Sequence, residues 1–77
     1  MEGLTVGRTV HYIAYGTPGG EYAAGAHRAA IVAEVKDASI GLCVLMIINP
    51  TGIHFNIAKW EIPDRNIPGT WHWIEKA

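Results

Sequence analysis

Two runs of strand-like alternation are separated by Tyr15-Gly16-Thr17-Pro18-Gly19-Gly20-Glu21-Tyr22 and then Gly25-Ala26-His27-Arg28. That glycine-rich interval limits the fold more than any other feature. Hairpins usually turn in about two to five residues, so a connection this long calls for a reason, most often binding. Glycine lets backbone N–H groups approach a ligand, tyrosine offers a face for stacking, and arginine offers a planar fork for phosphate or carboxylate.

On either side the chain reads as short strands punctuated by turn chemistry. From Arg8 to Tyr15, Val10, Tyr12 and Ala14 oppose Thr9, His11, Ile13 and Tyr15. A second run spans Ala29 to Val35, with Ala29, Ile31, Ala33 and Val35 opposing Ala30, Val32 and Glu34. Lys36-Asp37-Ala38-Ser39 reads as a hairpin connection. Ile40 to Ile48 is apolar on both faces and β-branched, as a central strand would be. Asn49-Pro50-Thr51-Gly52 is the clearest turn, followed by Ile53, Phe55 and Ile57 alternating with His54, Asn56 and Ala58. Pro63, Asp64, Asn66, Pro68 and Gly69 mark an irregular crossing, and Thr70 to Ile74 closes the chain with Trp71 and Trp73 on one face. An Ala-rich helix from Tyr22 to Ala33 competes for the middle region, but Gly25 and the Ile31, Val32 and Val35 residues favour strand. Residues 1–77 therefore predict one all-β domain, a small Src-homology-3-like barrel of about five strands with a long first loop.

A 77-residue chain buries little of its surface, and its single cysteine, Cys43, cannot form an internal disulfide. A buried, inert thiol among Leu42, Val44 and Leu45 is expected, and a homo-oligomer is the expected source of further stability. The net charge of −1 argues against coating nucleic acid by bulk attraction. No stretch is long enough to span a bilayer and none has signal-peptide form, so a cytoplasmic protein without membrane partners is expected.

Val10-His11-Tyr12, Tyr15 to Tyr22, His27 to Val32, Gly41 to Leu45, Asn49 to Gly52 and Gly69-Thr70-Trp71-His72-Trp73 resemble a family of small uncharacterised proteins of actinobacterial phages, prophages and metagenomes. The resemblance implies a phage accessory protein made in a bacterial cytoplasm, with no enzymatic role to carry over. Small phage proteins with ligand-sized pockets include sponges that sequester nucleotide immune signals.

The candidate ligand-binding set is Tyr15, Gly16, Thr17, Gly19, Gly20, Tyr22, His27, Arg28, Trp71 and Trp73. Arg28 is the candidate anion contact. The tryptophans read either as barrel or interface filler or as a stacking wall. His11, His27, His54 and His72 lack the paired spacing of a zinc helix or knuckle, so no metal or cofactor is assigned. Glu34, Glu61 and Asp64 are scattered, and no catalytic set is read. These features predict a non-enzymatic protein that binds and sequesters a nucleotide-like anion such as a cyclic nucleotide immune signal. The alternative is a module or inhibitor that docks on a host protein through its aromatic surface.

Overall fold

The computed structural model describes residues 1–16 and 25–74. Five strands, β1 (Thr9–Ile13), β2 (His27–Asp37), β3 (Leu42–Asn49), β4 (Gly52–Trp60) and β5 (Thr70–His72), form a closed barrel in chain order. Successive strands up to β4 pair antiparallel. A 3₁₀ turn at Pro63–Arg65 then carries the chain across to β5, which pairs antiparallel with β1 and parallel with β4. This is the expected small Src-homology-3-like barrel.

Its interior is built from the alternate residues of each strand: Val10 and Tyr12, Ala30 and Val32, Cys43, Leu45 and Ile47, Ala58, and Trp71. The β2 register slips twice, between Val32 and Glu34 and between Val35 and Asp37. Such bulges shift the facing of the residues beyond them. Val35 consequently pairs with inward-facing Cys43 and packs against the core, whereas alternation alone sets it on the face of Ile31.

The turns follow local chemistry. Asp37 Oδ1 accepts from the Ser39 amide at 3.0 Å and from its hydroxyl at 2.6 Å, which starts the β2–β3 connection. Asn49 pairs with Gly52 to close the β3–β4 hairpin over Pro50 and Thr51.

Candidate functional site

A cavity of about 290 Å³ opens beside the β3–β4 turn, lined among the described residues by Tyr12, Ala14, Tyr15, Gly16, Asn49, His54 and Asn56. Its position follows from strand phase. Tyr12 and Ala14 continue the inward row of β1, and Asn56 and His54 continue that of β4 below Ala58. Toward this end of the barrel the inward positions pass from aliphatic to polar, so the core ends and a pocket begins.

Hydrogen bonds set the orientation of these polar groups. Asn56 Nδ2 donates to the Tyr12 hydroxyl at 3.1 Å, while Asn56 Oδ1 accepts from the Ile57 amide. The Asn49 amide nitrogen lies 2.9 Å from His54 Nδ1. Because an amide NH₂ only donates, His54 accepts through Nδ1 and carries its proton on Nε2. The His54 ring meets Tyr12 edge-on, 6.5 Å between centroids. Burial pushes the Tyr12 phenol pKa up, partly offset by the Asn56 bond, and keeps the hydroxyl protonated at neutral pH. The wall thus combines two amides, a phenol, an imidazole and the Tyr15 ring, which is 64% exposed.

Of the sequence-derived set, Tyr15 and Gly16 line this cavity. Thr17, Gly19, Gly20 and Tyr22 lie outside the described residues. Half-buried Arg28 pairs with cavity-lining Tyr12 and precedes Ala29, whose β3 partner Ile48 precedes Asn49, so it stands at the cavity's end of the barrel. His27 is on the outer face of β2, among other histidines rather than on the cavity.

The tryptophans are not brought to this site. Trp71 is 0% exposed, and its indole reaches Gly41 at the opposite end of β3, where Nε1 donates to the carbonyl at 2.6 Å. Trp73 meets Trp71 edge-on at 4.9 Å and carries the Arg8 guanidinium over its ring, also at 4.9 Å. The filler reading applies to Trp71, because core volume in a barrel this small is supplied by its largest side chain. Tyr12, Ala14, Asn49, His54 and Asn56 are the cavity residues missing from the sequence-derived set. Alternation places His54 and Asn56 on one face of β4, and the β3–β4 pairing turns that face inward.

Cys43 is fully buried, and desolvation pushes its thiol up to about 11, as expected for an inert thiol. Among the described residues no helix is long and apolar enough to cross a membrane. Comparison with known proteins returns no matching family model, curated protein or solved structure.

Proposed function

We propose that the chain is a non-enzymatic binding protein whose cavity takes the base of a nucleotide-like anion, with Arg28 contacting the anionic group. The composition of the cavity wall carries this reading. Asn49, Asn56 and His54 supply donors and acceptors suited to a heteroaromatic edge, and exposed Tyr15 supplies a stacking face worth about 1–3 kcal/mol per base. The cavity volume is close to the lower end of small-molecule sites, about 300 Å³, and suits one base rather than a whole dinucleotide. The resemblance to phage proteins supplies the setting: sequestration of a nucleotide immune signal in a bacterial cytoplasm.

A homo-oligomer belongs to the same proposal. The outward rows of β3 and β4 form three apolar cross-strand pairs, Val44 with Ile57, Met46 with Phe55 and Ile48 with Ile53. Phe55 is 62% exposed and Ile53, Ile57 and Ile48 are also exposed. A contiguous patch of this kind supports an interface there. Glu34, opposite Val44, and Lys59, two residues beyond Ile57, lie at one end of these rows, and a second copy matches the apolar part by face-to-face sheet packing. The host-protein reading would now rest on this face, since Trp71 has no surface to offer.

Native mass spectrometry of the purified protein with a panel of linear and cyclic nucleotides tests the reading. An oligomer carrying nucleotide at fixed stoichiometry, released with unchanged mass and lost in Arg28→Ala and Asn56→Ala, is the expected result. An oligomer that ignores every nucleotide would refute it, and a stoichiometric host protein on the Phe55 face would favour the docking alternative.

A further inference from the structure

On the outside of the barrel, away from the cavity, three histidines from three adjacent strands converge. His11 of β1 lies directly opposite His72 of β5. His27 of β2 pairs with Ile13, two residues along from His11, so it is the diagonal neighbour on the same face. Ring centroids are 5.6 Å apart for His11 and His72, 6.0 Å for His11 and His27, and 4.8 Å for His27 and His72. One ring nitrogen from each lies within 4.8 Å of the other two.

We propose that His11, His27 and His72 form a binding site for a first-row divalent cation, Zn²⁺ foremost. Imidazole suits this class of ion, and three protein nitrogens with one open position make a tetrahedral site. With zinc–nitrogen bonds of about 2.0–2.1 Å, ligand nitrogens sit roughly 3.3 Å apart, so the rings need only close inward by small side-chain rotations. The burial gradient suits such a site. His72, 1% exposed, forms the floor, His11 is half-buried, and exposed His27 is the side from which an ion enters.

A second observation points the same way. His27 Nε2 lies 3.0 Å from Asn66 Oδ1. An amide oxygen only accepts, so His27 Nε2 donates to it, and Nδ1 is the nitrogen that would take the ion. Partners of this kind orient metal-binding histidines. Asn66 is held in a left-handed conformation, φ 46°, the one positive φ outside glycine among the described residues. Gly25 faces its amide, and a Cβ there would lie 2.8 Å from Asn66 Nδ2. Two special backbone positions thus place the oxygen that fixes the tautomer of His27. The open fourth position would take water or a small anion.

The test uses untagged protein, Zn²⁺ and Co²⁺. Titration calorimetry should give one ion per chain, and Co²⁺ should develop the intense visible bands of a tetrahedral nitrogen site. His27→Ala, at an exposed position outside the core, should weaken binding by about 100-fold, and Asn66→Ala by about 10-fold through loss of orientation. Circular dichroism checks that both variants remain folded. No stoichiometric uptake, or uptake unchanged in folded His27→Ala, would overturn the assignment.

Discussion

The Trp71 indole N–H donates to the Gly41 carbonyl at 2.6 Å, tying β5 to the turn between β2 and β3. Gly41 has φ +69°, and a Cβ there would lie 2.6 Å from Trp60 Cβ and 3.2 Å from the Trp71 ring. The close approach that makes the bond also excludes any side chain. Gly41→Ala is therefore expected to destabilise by about 1–2 kcal/mol for the left-handed conformation alone, with the clash added. Trp71→Phe should cost about 1–3 kcal/mol by leaving the Gly41 carbonyl unpaired. Urea unfolding reads both, as a lower midpoint at unchanged slope.

The Tyr12–Asn56 bond joins stability to binding at the cavity. Tyr12→Phe keeps the ring in the core and removes only the hydroxyl, at a cost of about 0.5–1.5 kcal/mol. Asn56→Ala removes the same bond from the other side, so the double variant should lose less than the sum of the two. An additive result would show that the two groups do not interact. In the same protein, histidine ¹⁵N–¹H spectra should show His54 protonated at Nε2, because Asn49 donates to Nδ1. An Nδ1 proton would refute that orientation of the amide.

Much of the barrel was legible from alternation and turn residues. The β1 pattern and Asn49-Pro50-Thr51-Gly52 are local signals that tertiary context does not override. Two facing assignments were not legible. The bulges in β2 carry no glycine or proline, so nothing local marks the point at which Val35 turns to the core. In β4 the apolar residues Ile53, Phe55 and Ile57 face outward, because Cys43 and Leu45 fix Ala58 and Asn56 on the inner side by pairing. A one-residue change of register reverses every side chain, and register is a property of two strands rather than one. The histidine trio escaped for a related reason. Positions 11, 27 and 72 have no meaningful spacing until β5 closes beside β1.

Outward-facing Phe55 makes a direct test of self-association. Phe55→Lys places a charge at the centre of the apolar rows while touching none of the buried core, so the intrinsic stability of the fold should change by no more than about 0.5 kcal/mol. Light scattering after size exclusion should show an oligomer for the native sequence and a folded monomer for the variant. A native chain that is monomeric at micromolar concentration would refute the oligomer, as would a variant of unchanged mass.

Alkaline pH gives a signature of the core. Cys43 has its thiol pKa raised from the ordinary 9.0 to about 11, because a thiolate there would lose its hydration among Leu45, Ile47 and Trp71. A raised value means that the folded state binds the proton more tightly than the unfolded state does. The corresponding stability is fully present below pH 9, where both states are protonated, and is lost as pH climbs through 9 toward 11. Tyr12 is raised by burial as well and adds to the same decline, so the thiol has to be isolated by comparison. Cys43→Ala, which loses packing at every pH but has nothing to ionise, supplies it. The stability gap between native protein and variant should be widest at pH 8 and narrow by pH 11. Alkylation of Cys43 by iodoacetamide at pH 8 should be slow in buffer and fast in urea. A gap independent of pH, or rapid alkylation of the folded protein, would place the thiol in contact with water.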